Sequence, residues 1–190
     1  MPVAEVTNIV LNDCFGLTGG IATGKSTIAG MLKELGCRIV DTDLIARDIV
    51  QPGQPAFLEI VEKFGEGVLD KSGMLDRELL RKIIIDNPKK RELLNSITHP
   101  KIGLEVLRQV DEHRLSGSRM PIIVDVPLLF EAGWHSLFPA IILVYVPVEV
   151  QLTRLMTRDR LTREEAQRTL TFQMNIEEKK NRAHYIIENS

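Results

Sequence analysis

The chain has 190 residues, 44% of them hydrophobic, with 24 basic and 26 acidic side chains and a formal net charge of −2. That supplies one sizeable core plus an inserted lobe but not two full domains, and the even charge balance, without a long single-sign block, speaks against nucleic-acid or membrane-surface partners. No apolar run approaches the ~20 residues that cross a bilayer, residues 1–13 carry acids and no basic start of a secretion signal, and Cys14 and Cys37 lie in apolar runs without paired spacing, so a cytoplasmic protein with buried thiols is expected.

Cys14-Phe15-Gly16-Leu17-Thr18 is a short apolar run stopped by Gly19-Gly20, and a helical period at Ile28, Met31, Leu32 and Leu35 follows and ends at Gly36. This reads as strand, glycine loop, helix. Cys37–Asp41 is a second strand, with Asp41-Thr42-Asp43 at its end. From about Gln51 to Leu115 the alternation of strand and helix stops: a turn at Gln51–Pro55 precedes helical periods over Phe57–Phe64, Arg77–Ile85, Lys89–Ile97 and Lys101–Leu115. Asp76 is placed to cap the second of these, and Pro100 should hold His99 extended between the last two.

Ile122–Asp125 and Ile141–Val146 are apolar throughout, as strands of a parallel sheet covered on both faces are. Helical patterns at 148–158 and 163–180 lead to a fifth strand in His184–Glu188, and Thr162-Arg163-Glu164-Glu165 has capping-box spacing, which leaves residues 158–161 as a loop. The expected fold is α/β: a three-layer core with a five-stranded parallel sheet over about 14–50 and 118–190, a helical insertion over about 51–115, and a lid over about 154–165, all within one domain.

Gly19-Gly20-Ile21-Ala22-Thr23-Gly24-Lys25-Ser26 matches G-x-x-x-x-G-K-[ST], and it lies between a strand and a helix as a phosphate-binding loop (P-loop) must. Glycines allow the tight turn that aims successive N–H groups at a phosphate, and the following helix adds the positive end of its dipole. Gly20, Ala22, Thr23, Gly24, Lys25, Ser26 and Thr27 are therefore the nucleotide-binding candidates. Lys25 would reach the β- and γ-phosphates of ATP, and Ser26 would ligate Mg²⁺.

At the carboxyl end of the second strand, an acid of the Asp41-Thr42-Asp43 pair could accept a proton from an attacking hydroxyl or help hold Mg²⁺; the plainer role for Asp43 is a helix cap. Asp125 closes its strand as a Walker B acid does, yet Val126 follows where hydrolytic motors carry a Glu. Leu128 stands where a switch GTPase needs glycine. Arg154, Arg158 and Arg160 fall on or just past the helix that enters the loop, the first two on one face, where they could clamp a transferring phosphate or simply form a solvated basic face. The histidines at 99, 113, 135 and 184 have no metal-ligand spacing.

From Phe15 to Ser190 the chain resembles the dephospho-CoA kinase family. The resemblance rests on Leu17-Thr18-Gly19-Gly20-Ile21, Asp41-Thr42-Asp43 with Ile45-Ala46-Arg47, Pro52-Gly53, Phe64-Gly65, Leu75-Asp76-Arg77, His99-Pro100, Pro127-Leu128-Leu129-Phe130-Glu131, Gln173-Met174 and Asn189-Ser190, in that order. It implies transfer of the ATP γ-phosphate to the ribose 3′-hydroxyl of dephospho-CoA, the last step of coenzyme A synthesis. It implies Asp43 as the base, Arg47, Arg77 and His99 near the acceptor, a lid containing Arg154 and Arg158, and a nucleoside-monophosphate-kinase-like core. Ala22, Thr23, Thr42 and His184 depart from the usual residues of the family, and relatives usually continue past Ser190 into a terminal helix. The expected partner is the small-molecule substrate alone, with no nucleic acid or membrane, and the expected state is a monomer or weak oligomer. The competing readings are another small-molecule kinase of the same fold and a non-catalytic nucleotide-binding module.

Overall fold

The computed structural model describes Leu11 and residues 13–190. Five parallel strands, β1 (Cys14–Gly19), β2 (Arg38–Asp41), β3 (Ile122–Asp125), β4 (Ala140–Tyr145) and β5 (Tyr185–Glu188), form one sheet in the order β2-β3-β1-β4-β5. From the central β1 the chain goes out to the edge strand β2, returns to β3 beside β1, and then crosses to β4 and β5 on the other side, so the carboxyl end of β1 is the switch point beside which open α/β sheets bind ligands.

The apolar strand runs have the expected cause. Val144 of β4 packs with Leu17, Ile123 and the helix α1 (Lys25–Glu34) through Ile28 and Ala29. Its neighbours Leu143 and Tyr145 face the other way and pack on Ile176, which opens α8 (Ile176–Arg182). Successive strand side chains point to opposite faces, so both faces of β4 are covered and the strand carries no polar stripe.

The described chain falls into two compact units. One comprises Leu11, residues 13–41 and 112–190; besides the sheet, α1 and α8 it holds α6 (Val148–Asp159) and α7 (Arg163–Leu170). The other, Thr42–Asp111, is helical: α2 (Thr42–Asp48), α3 (Pro55–Phe64), α4 (Arg77–Asp86) and most of α5 (Pro88–Leu115). Its own core joins Ala56, Phe57 and Ile60 of α3 to Leu80 of α4 and Ile97 of α5.

Local signals set several boundaries. The Asp76 carboxylate accepts from Leu79 N at 2.9 Å and starts α4. Thr162 and Glu165 form a reciprocal capping box at the start of α7. Three expectations need correction. Asp43 is not at a strand end but in the first turn of α2, because the β2–β3 ladder stops at the Asp41–Asp125 pair and the chain turns directly into helix. The helical pattern over 163–180 is two helices, since Asn175 accepts from Glu177 N at 2.8 Å and caps a new one.

The third concerns Pro100, which lies inside the continuous helix α5 instead of separating two helices, so His99 is helical. A helix-interior proline costs roughly 3 kcal/mol. Burial of Ile97, Ile102, Val106 and Val110 along one stripe offsets this. Lys101 adds local support: its Nζ donates to Ile97 O at 3.2 Å and pairs with Glu59 of α3 at 2.6 Å.

Candidate active site

The turn between β1 and α1 uses conformations that few residues tolerate. Gly24 caps α1 at φ +84°, and Ala22 sits at φ +60°, a left-handed conformation that costs a residue bearing a Cβ roughly 1–2 kcal/mol. Space is equally restrictive. A Cβ on Gly24 would lie 2.3 Å from Asn189 Nδ2, one on Gly20 would lie 2.3 Å from Gln151 Nε2, and one on Gly19 would meet Thr23 Oγ1 at 2.7 Å. The buried Thr23 hydroxyl donates to Gly20 O at 2.9 Å and closes the turn from within. Lys25, Ser26 and Thr27 then form the first turn of α1, Ser26 and Thr27 exposed, where the helix end favours anions.

Lys25 Nζ donates to Asp125 Oδ1 at 2.5 Å, with only 16% and 6% of the two side chains exposed. Asp125 ends β3 level with Leu17 of β1 and with Asp41 of β2. Lys25, at the start of α1, thus meets Asp125 at the carboxyl end of β3 beside the glycine turn, with Asp41 one strand further out. Among the described residues there is no cluster of three or more His, Cys, Asp or Glu able to hold a metal. The available oxygen donors, the Ser26 hydroxyl and the Asp125 carboxylate, suit a hard cation that takes its remaining ligands from phosphate and water, as Mg²⁺ does.

Side chains from distant elements hold the turn from outside. Gln151 of α6, 3% exposed, donates from Nε2 to Ile21 O at 2.8 Å, and Gln173 accepts at Oε1 from Ile21 N at 2.9 Å. Asn189, just past β5, donates from Nδ2 to Thr23 O at 2.8 Å. Lys179 of α8 is fully buried; its Nζ lies 2.8 Å from Glu131 Oε1 and 3.3 Å from Gly19 O. Gln151 and Gln173 also line a cavity with Gly20, Leu152, Leu170 and Ile176. Gln151 and Lys179 were not singled out in the sequence. The available signal was a polar residue within an apolar stripe: Gln151 among Val148, Leu152 and Leu155, and Lys179 between Ile176 and Ala183.

Arg154 and Arg158 have protein partners. Arg154 Nη2 donates to Asn189 O at 2.8 Å, so Arg154 holds the residue that holds Thr23. Arg158 is exposed and bonded to Asp159 at 2.8 and 2.9 Å, a contact that raises the guanidinium pKa and lowers that of the carboxylate. In the helical unit, Asp43 and Arg47 lie one turn apart on α2, both exposed. Arg77 is the first residue of α4. His99 is partly buried on α5, and loss of hydration lowers its pKa from the usual 6.5. Cys14 is buried and Cys37 partly so, and no helix of the described residues is long and apolar enough to cross a membrane.

A family-wide sequence model for dephospho-CoA kinase (CoaE) matches residues 13–190. The dephospho-CoA kinase of Bacillus licheniformis is 46% identical over 175 residues, 92% of this chain and 87% of that protein. Among solved structures, TT1252 from Thermus thermophilus superposes with a TM-score of 0.77 at 32% identity, covering 94% of this chain and 89% of that one. The dephospho-CoA kinase from Campylobacter jejuni does so with a TM-score of 0.68 at 34% identity, covering 95% and 89%.

Proposed function

The chain belongs to the dephospho-CoA kinase family, and from that premise we propose how its own residues transfer the γ-phosphate of ATP to the ribose 3′-hydroxyl of dephospho-CoA. The observation that carries the reading is the glycine turn with Lys25 at the start of α1, closed in by β1 and β3 at the sheet's switch point.

Turn amides and the α1 N-terminus bind the triphosphate, along Gly19–Thr27. Lys25 exchanges Asp125 for the β- and γ-phosphates, where its charge offsets the negative charge that shifts towards the leaving ADP. Ser26, with Asp125 behind it, would hold Mg²⁺, which supplies further charge neutralisation at the phosphates. Asp43 accepts the proton of the 3′-hydroxyl as that oxygen bonds to the γ-phosphorus and the bond to the ADP oxygen breaks. Arg47, Arg77 and His99, in the helical unit, bind the acceptor. Arg154 and Arg158 act from the lid, and their N–H donors beyond those bonded to Asn189 and Asp159 are suited to phosphate oxygens. Lid closure excludes water and so limits hydrolysis of ATP. The helical residues at about 51–115 form the acceptor lobe of a single kinase domain, which works in the cytoplasm as a monomer or weak oligomer.

The test is ADP release with dephospho-CoA, AMP, CMP and gluconate as acceptors. Release stimulated by dephospho-CoA alone is expected. Stimulation by one of the others would assign a different small-molecule kinase, and none with any acceptor would leave a nucleotide-binding module.

A further inference from the structure

The side chains that grip the glycine turn from outside do so in a pattern. Gln151 takes the carbonyl of Ile21, and Asn189 takes the carbonyl of Thr23, two residues on. A trans peptide is planar, with its C=O and the following N–H pointing in opposite directions. Holding Ile21 O towards Gln151 therefore turns the N–H of Ala22 away from Gln151. Holding Thr23 O towards Asn189 does the same for Gly24 N–H. The intervening geometry agrees: Gln173 accepts from Ile21 N, which turns that amide to the outside, while Gly20 O receives Thr23 N and Thr23 Oγ1.

We propose that Gln151 and Asn189 are positioning residues for phosphoryl transfer, which aim the amides of Ala22 and Gly24 at the phosphate before nucleotide arrives. An unbraced glycine-rich turn can flip individual peptide planes at little cost, because glycine populates both signs of φ. In this chain the planes carrying the two amides are each fixed by a directed donor. The donors are unambiguous, since a carbonyl can only accept, so both amide side chains must present nitrogen to the turn. Asn189 is in turn held by Arg154 through its own carbonyl and by Tyr145 O through its N–H, and Gln151 lies on the helix that leads into the lid. The anion site and the lid are thereby mechanically joined. The close approach also accounts for the glycines: the side-chain nitrogens of Gln151 and Asn189 occupy the places where a Cβ of residue 20 or 24 would be.

The inference rests on the proposed binding of ATP at this turn, and it is tested by substitutions that reverse the donor. ATP binding would be measured by calorimetry for the wild type, Gln151→Glu, Gln151→Leu and Asn189→Asp, with melting temperature recorded for each. At pH 8 a carboxylate opposes the carbonyl it faces, so Gln151→Glu and Asn189→Asp should bind ATP at least about tenfold more weakly than wild type, and Gln151→Glu more weakly than Gln151→Leu. Protonation restores an O–H donor. The deficit of each acid variant, taken as a ratio to wild type, should therefore shrink between pH 8 and pH 5.5, while that of Gln151→Leu stays constant. A general loss of packing would lower the melting temperature without this pH-dependent recovery. Binding within twofold of wild type at pH 8 in both acid variants overturns the inference alone, as does a deficit that does not change with pH. Should Gln151→Glu fail to fold, Asn189→Asp decides the matter by the same two readings. A wild-type chain that does not bind ATP overturns the phosphate-site reading and this inference with it.

Discussion

Replacing Lys179 by Met removes one half of a buried ion pair while nearly keeping its volume. The ammonium, fully buried, lies 2.8 Å from Glu131 Oε1 and 3.3 Å from the carbonyl of Gly19, the last residue before the glycine turn. Removing one partner of such a pair costs about 3–5 kcal/mol, because the remaining charge is left without compensation. Here the lower end applies: the Glu131 side chain is 22% exposed, and its Oε1 also accepts from Met174 N at 2.9 Å. The expected loss is about 3 kcal/mol, or roughly 6–12 °C in melting temperature for a chain of this size. Urea unfolding at pH 7 measures it. Adding Glu131→Gln to Lys179→Met removes the orphaned charge and should recover at least about half the loss, whereas the two changes would sum if the residues acted independently. A loss below about 1 kcal/mol for Lys179→Met, the range of an exposed pair, would refute the reasoning.

Gly24→Ala must hold an L-residue at φ +84° and displace the Asn189 amide; ATP affinity should fall about tenfold or more, and titration calorimetry showing unchanged affinity would contradict the account of the turn. Thr162→Ala removes the capping box of α7 and should cost about 1 kcal/mol, seen as roughly fivefold faster amide exchange confined to that helix; unchanged exchange would show the cap to be idle. His99 has a folded pKa below its unfolded value of 6.5 because burial disfavours the imidazolium. The unfolded chain therefore binds the proton first, and this contribution to stability is lost as pH falls below about 6.5. Urea midpoints from pH 8 to 5 should decline less steeply in His99→Gln, and parallel curves would deny His99 that role.

What the sequence disclosed followed short-range rules. The apolar runs, the glycine turn, the Asp76 cap and the Thr162–Glu165 box each depend on neighbours within a few residues, and all are present. Pro100 shows where such rules fail: the local preference for a break is outweighed by a buried stripe and by Lys101 with its partner on α3, neither visible in a six-residue window. The sequence places Asp43 at a strand end because nothing local shows where the partner strand β3 stops. The braces of the turn were hidden for the same reason, since Gln151, Lys179 and Asn189 act on residues 130 to 166 positions away. Glu131, Gln173 and Asn189 stood out only as marks of family resemblance. Their contacts with Lys179, Ile21 and Thr23 supply a physical reason for their presence in this chain.

The central claim is tested most directly by single-turnover transfer from γ-labelled ATP to dephospho-CoA, comparing wild type with Asp43→Asn while nucleotide affinity is measured in parallel. The account predicts label in the 3′-phosphate of CoA for wild type, a rate about 10²–10⁴-fold lower for Asp43→Asn, and equal ATP binding by the two proteins. Transfer by Asp43→Asn at close to the wild-type rate would contradict it, as would wild-type label appearing only in inorganic phosphate.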